Sequence, residues 1–86
     1  MEIEFTATAD EDLDYWKKSG NTSILKKIRL LLESILESPF AGIGKPEPRR
    51  FNLTGYWSRR ITKADRLVYQ VQGEKVIVHS LRGHYE

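Results

Sequence analysis

The sequence predicts a two-layer α+β domain, with two N-terminal helices packed on a mostly antiparallel sheet. Two observations carry this. Ile24, Leu25, Ile28, Leu31, Leu32, Ile35 and Leu36 form an apolar stripe of period 3.6, with Lys26, Lys27, Arg29, Glu33 and Glu37 between them. After the Gly- and Pro-rich stretch that follows, short β-prone runs dominate: 51–53, 56–61, 67–71 and 76–80, the last two joined through Gln72-Gly73-Glu74.

Each element has a local reason. Ile3 and Phe5 alternate with Glu2 and Glu4, as a half-buried strand requires. From Thr8 onward, Asp10, Glu11 and Asp12 place negative charge where a helix N-terminus favours it, and Ala9, Leu13 and Trp16 recur at helical spacing. Gly20 is a stop signal, and Asn21, Thr22 and Ser23 offer caps for the second helix. Ser38-Pro39 ends that helix, and a loop is expected through Pro48. Thr54-Gly55 fits a tight turn.

A chain of 86 residues is sized for one domain, spanning 1–86, with one small core. Hydrophobic content of 40% and charged content of 30% point to a soluble globular protein, and no apolar run reaches the length of a membrane span. Without cysteine there is neither a disulfide nor a thiolate nucleophile, and the acidic, alternating N-terminus does not resemble a secretory signal. A cytoplasmic location is the resulting expectation. The net charge of +2 conceals an asymmetry: residues 45–66 hold seven cations against two carboxylates. Such a local excess predicts a face that binds a polyanion.

Chemistry concentrates in GKPEPRRFNLTGYWSRRI, residues 44–61. Glu47 stands between two prolines, with arginines following on both sides of an aromatic pair. Metal-ligand spacings, a phosphate-binding glycine loop and a nucleophile elbow are all missing from the sequence. What remains is Glu47, the arginines, and the ending Arg82-Gly83-His84-Tyr85-Glu86. A carboxylate, an imidazole and guanidinium groups suffice for RNA cleavage without a metal. The carboxylate takes the 2′-OH proton, arginine holds the phosphoryl charge, and histidine protonates the leaving 5′ oxygen. These residue types alone make only a candidate, because they occur together in most proteins.

The run from Pro39 through Lys45-Pro46-Glu47-Pro48, then NLTGYWSRRI, then Arg66-Leu67-Val68-Tyr69 and the terminal His84-Tyr85, closely resembles the YoeB branch of the RelE-like toxins. These are small bacterial toxins of type II toxin–antitoxin pairs. The resemblance implies a microbial-ribonuclease-type fold and ribosome-dependent mRNA cleavage that leaves a 2′,3′-cyclic phosphate. It implies Glu47 as general base, His84 as general acid, Arg66 as ligand of the transition-state phosphate and Tyr85 as a residue that positions RNA. Lys45, Arg50 and Arg60 become RNA contacts; Arg50 stands where the family often has lysine, which keeps the charge and changes the hydrogen-bond geometry. The implied partners are the 70S ribosome with its mRNA, a YefM-like antitoxin whose acidic C-terminal segment covers the site, and a second copy of the chain. No metal, cofactor or membrane is implied. Prolines on both sides of Glu47 suit a base that must stay within reach of one hydroxyl.

Two other function classes stay open: a ParE-type inhibitor of a topoisomerase, and a non-catalytic RNA- or ribosome-binding module. The remaining aromatic and basic residues read as structural. His79, on a strand of alternating valines, and Tyr69, in mid-strand, are expected to pack, and Trp57 is left outside the site. Arg59 and Arg60 must point to opposite faces of their strand, with Arg60 the one assigned to RNA.

Overall fold

Alternating residues set the first strand: Ile3 and Phe5 pack on the core, and Glu2 and Glu4 face solvent, along β1 (Glu2–Phe5). The computed structural model describes residues 1–49 and 55–83. Helix α1 (Ala7–Lys18) begins earlier than the acidic run suggested. Thr6 is its N-cap, its Oγ1 accepting from the amide of Ala9 at 3.1 Å, so only Asp10 lies in the first turn. Asp12 is thereby freed for another contact: its Oδ2 accepts from the amide of Leu81 at 2.9 Å. Gly20 adopts φ +71 after α1, and Asn21 caps α2 (Thr22–Glu37) by accepting from the amide of Ile24 at 3.2 Å.

The apolar stripe of α2 is the core face, and it is narrower than the sequence suggested. Ile28, Leu31 and Ile35 are buried, Ile24, Leu25 and Leu32 are half-buried against them, and Leu36 is 42% exposed. Leu36 lies about 100° round the helix from Ile35, at the edge of the covered face.

The sheet comprises β1, β2 (Glu47–Pro48), β3 (Trp57–Arg60), β4 (Arg66–Gln72) and β5 (Lys75–Ser80), in the order β1-β5-β4-β3-β2. Among the described residues, only β1 and β5 pair in parallel. The expected strands at 67–71 and 76–80 both form, slightly extended, around a turn in which Gly73 takes φ +59. The expected strand at 51–53 lies outside the described residues. Glu47 and Pro48, expected in a loop, instead form the edge strand β2, with Glu47 opposite Ser58. Proline suits an edge because that strand need not donate on its outer side. The amide of Arg49 extends the pairing, donating to the carbonyl of Tyr56 at 2.7 Å.

Both helices cover one face of the sheet, over Leu67, Tyr69, Val76 and Val78. Strand register places Glu47, Ser58, Arg60 and Arg66 together on the other face.

The helix-side residue of the β3 pair is unexpected. Arg59 is fully buried and donates all five of its hydrogen bonds to neutral acceptors. Its Nε reaches the Tyr69 hydroxyl at 3.2 Å. Its Nη1 reaches Ser34 Oγ at 2.8 Å and the carbonyl of Ile43 at 3.1 Å. Its Nη2 reaches the carbonyls of Ser38 and Ala41, each at 2.8 Å. The Tyr69 hydroxyl in turn donates to the carbonyl of Pro39. Burial pushes the Tyr69 phenol pKa up, with Arg59 opposing, so the ring remains a donor at neutral pH. Gly42, at φ +118, has no room for a Cβ beside Ser34 and Arg59. Arg59 therefore does not contribute to the exposed basic face, as the charge count implied. It anchors the segment 38–44 that leads into Glu47.

Candidate active site

Glu47 reaches the open face of the sheet from the edge strand, and Arg66 reaches it from the start of β4. Arg66 Nη1 donates to Glu47 Oε1 at 3.0 Å. The carboxylate is 55% exposed and the guanidinium only 11%, so a shielded cation holds an accessible acid. Between them sits the buried Ser58, whose Oγ accepts from Arg66 Nη1 at 3.4 Å and from Arg49 Nη1 at 3.3 Å. Glu47 is thus paired with a residue distant in sequence, while Arg49, two residues away, turns to Ser58. Arg66 Nε is buried and has no partner among the described residues.

The backbone carries the pair. The amide of Arg60 donates to the carbonyl of Gly44 at 2.7 Å, stitching the approach to β2 onto β3. Lys45 follows with φ +53, the left-handed region that a non-glycine residue seldom adopts. Arg60 is exposed, with its side chain on the face that bears Glu47 and Arg66. The amide of Arg66 donates to the carbonyl of Gly83 at 3.0 Å, which ties the end of the chain to the strand bearing the arginine. Of the residues expected at the site, Glu47, Arg60 and Arg66 are described and lie on β2, β3 and β4, and Lys45 is described and lies in the loop just before β2. Arg50, His84 and Tyr85 lie outside the described residues.

Ser58 and Arg49 were missed as site residues. A signal for Ser58 existed, because alternation through Trp57-Ser58-Arg59-Arg60 places it on the same face as Arg60. Arg49 carried no comparable signal, since its orientation depends on the short β2 pairing.

Trp57 and His79 pack as expected. Trp57 is half-buried against the core and lies 4.8 Å from the Phe40 ring. His79 stacks on Tyr56 at 4.6 Å between ring centroids, with Nε2 at 3.2 Å from Gln70 Oε1. Burial pushes the His79 pKa below its ordinary value of 6.5, so the neutral ring is the folded form. Unfolding exposes a ring that binds a proton more readily. The stabilisation is therefore intact above about pH 6.5 and is lost as pH falls from there toward the lower folded value. Thermal melts of the wild type should show a falling Tm across that window. His79→Gln should make the fall shallower, and an unchanged slope would contradict the assignment.

A carboxylate open to solvent, an arginine behind it and further cations on the same face can accept a proton and hold an anionic phosphate at adjacent positions. The two-helix, five-stranded scaffold that carries it is the fold of the RelE-like toxins. Residues 5–85 match the model of the YoeB-like toxins of bacterial type II toxin–antitoxin systems, and the chain belongs to that family. A toxin YoeB of Synechocystis is 44% identical over the whole of this chain and 99% of its own. The YoeB/ParE toxin of Agrobacterium tumefaciens superposes with a TM-score of 0.95 at 38% identity, covering 99% of this chain and 100% of that one. In Staphylococcus aureus, a chain solved in a YoeB–YefM complex is 44% identical, with a TM-score of 0.88 over 96% of this chain and 95% of its own. A YoeB dimer from the same organism is 42% identical, with a TM-score of 0.90 over 99% and 98%.

Proposed function

We propose that this toxin is an endoribonuclease that cleaves mRNA on the ribosome and so stops translation. The observation that carries the reading is the Glu47–Arg66 pair, 3.0 Å apart on the open face of the sheet. Glu47 accepts the 2′-OH proton as that oxygen attacks the adjacent phosphorus. The bond to the 5′ oxygen breaks, and His84 supplies the proton that the departing oxygen takes up. The products are a 2′,3′-cyclic phosphate and a 5′-hydroxyl. Arg66 releases Glu47 and follows the charge that builds on the phosphoryl oxygens. Tyr85 positions the RNA, and Lys45, Arg50 and Arg60 hold its backbone phosphates. The acid end of the site is assigned from the family resemblance, and the base end also from the ion pair.

The partners follow the relatives. A YefM-like antitoxin with an acidic C-terminal segment would compete with RNA for the arginines of this face, and a second copy of the chain would form a homodimer. The site of action is cytoplasmic, where ribosomes and mRNA meet. Among the described residues, no helix is long and apolar enough to cross a membrane.

One carboxylate and one imidazole make a sparse site, so the ribosome must supply the in-line orientation of the RNA, a contribution that can reach about 7–11 kcal/mol. Free RNA should therefore be cut poorly and ribosome-bound mRNA efficiently. Mass spectrometry of RNA ends after incubation with translating ribosomes tests the class directly. New codon-positioned breaks ending in cyclic phosphate support the nuclease. Intact RNA with inhibited gyrase would indicate the ParE-type activity, and protected RNA a binding module.

A further inference from the structure

Two arginines share one buried hydroxyl beside the candidate base. Ser58 is fully buried, and its Oγ accepts from Arg49 Nη1 at 3.3 Å and from Arg66 Nη1 at 3.4 Å. A serine oxygen has two lone pairs to offer, and each takes one arginine. Held by hydrogen bonds to a single atom, the two Nη1 atoms are no more than about 7 Å apart.

Strand alternation explains why they meet. The amide of Arg49 donates to the carbonyl of Tyr56 at 2.7 Å, so the pairing continues one residue past β2. Arg49 then falls on the same face as Glu47, while Ser58 stands opposite Glu47 and Arg66 faces the same side from β4.

Glu47 compensates only one of these cations, and it is bonded to Arg66. The trio of Arg49, Arg66 and Glu47 therefore keeps a positive charge in excess. Two guanidiniums this close repel each other, and the shielding of Arg66 from water strengthens the repulsion. An anion placed between them relieves it. Glu47 is 55% exposed and Arg49 only half-buried, so the group is open to a ligand from the solvent side. Charge-assisted hydrogen bonds of about 2.7–2.9 Å from each arginine let one phosphoryl group bridge the gap, with one nonbridging oxygen to each.

We propose that Arg49 is a second ligand of the scissile phosphate, paired with Arg66 through Ser58. The inference rests on the nuclease reading above. As the 2′ oxygen attacks phosphorus and the bond to the 5′ oxygen breaks, negative charge builds on both nonbridging oxygens. Arg66 meets one and Arg49 the other. Ser58 sets their spacing, so both donors are in place before the charge develops. Arg66 must first release Glu47, whereas Arg49 is bonded to a neutral hydroxyl and can turn to the phosphate as it arrives.

The test is single-turnover cleavage on saturating programmed ribosomes. The mRNA carries either the natural phosphate at the mapped cut site or one with a nonbridging oxygen replaced by sulfur, as separate Rp and Sp diastereomers. Sulfur is a poor acceptor, so each diastereomer should slow the wild type by weakening one arginine contact. Arg49→Ala should slow cleavage of natural mRNA by about 10²-fold, the lower end for loss of one preorganised donor. It should also abolish the sulfur effect at one diastereomer and leave the other intact, because the contact that sulfur weakens is already gone. Arg66→Ala should abolish the effect at the other diastereomer. Arg49→Lys keeps a charged donor and should recover part of the rate. Thermal melts accompany each variant.

A wild-type rate for Arg49→Ala overturns the proposal, as does a loss that leaves both sulfur effects unchanged, and the nuclease reading survives either result. Absence of cleavage by the folded wild type overturns both. If Arg49→Ala does not fold, Arg49→Met keeps the unbranched stem without the donor and carries the same comparison. Loss of the sulfur effect at one diastereomer, distinct from the one lost with Arg66→Ala, supports the proposal, and any other pattern overturns it.

Discussion

Arg59→Ala is expected to lower stability by about 3–5 kcal/mol, since each buried acceptor left unsatisfied costs about 1–3 kcal/mol and the lost side chain leaves unfilled space. Five acceptors lose their donor at once: three carbonyls of the segment 38–44, Ser34 Oγ and the Tyr69 hydroxyl. The side chain also fills the space between α2 and the sheet, so truncation adds a cavity. Arg59→Lys retains the charge but cannot fork to five acceptors, and should recover only part of the loss. Arg60→Ala, one residue away and exposed, should change stability by no more than about 0.5 kcal/mol. Urea melts of the three variants make the comparison. Equal losses at 59 and 60 would show that the buried network is not what holds the segment.

This contrast marks where the sequence could be read and where it could not. Period-two alternation predicts that Arg59 and Arg60 face opposite sides, and they do. It cannot say that the inward arginine is fully satisfied, because its acceptors come from positions 34, 38, 41, 43 and 69, which are remote until the chain folds. The charge excess in 45–66 was legible for the same local reason, and it overcounted the exposed face by including Arg59. The two helices and the strands β4 and β5 were legible because each carries its own pattern over several residues. β2 was not, since its two residues carry no periodicity and Pro48 signals a break. Its strand character comes only from pairing with β3. Glu47 was legible as a candidate through the resemblance around it. Its partner Arg66, 19 residues on, was identified from the same resemblance, and their contact appears only in three dimensions. Thr6 as the cap of α1 was missed because the acidic run drew the boundary inward.

Glu47→Gln is expected to reduce cleavage by about 10²–10⁴-fold, the usual contribution of one acid–base group. Glutamine nearly conserves shape and can still accept a hydrogen bond from Arg66, so the fold and the edge strand should be undisturbed. Glu47 is half-exposed and belongs to no apolar cluster, so the melting temperature should scarcely move. Arg66→Ala should also slow the chemical step more than it weakens binding, because the guanidinium is needed most as charge builds on the phosphorus oxygens.

The decisive measurement is the single-turnover rate of mRNA cleavage on saturating programmed ribosomes for the wild type and Glu47→Gln, with both proteins shown folded by thermal melts. The nuclease reading predicts codon-positioned cuts by the wild type and a rate about 10²–10⁴-fold lower for the variant at equal ribosome occupancy. Equal rates, or no cleavage by the folded wild type, would contradict it.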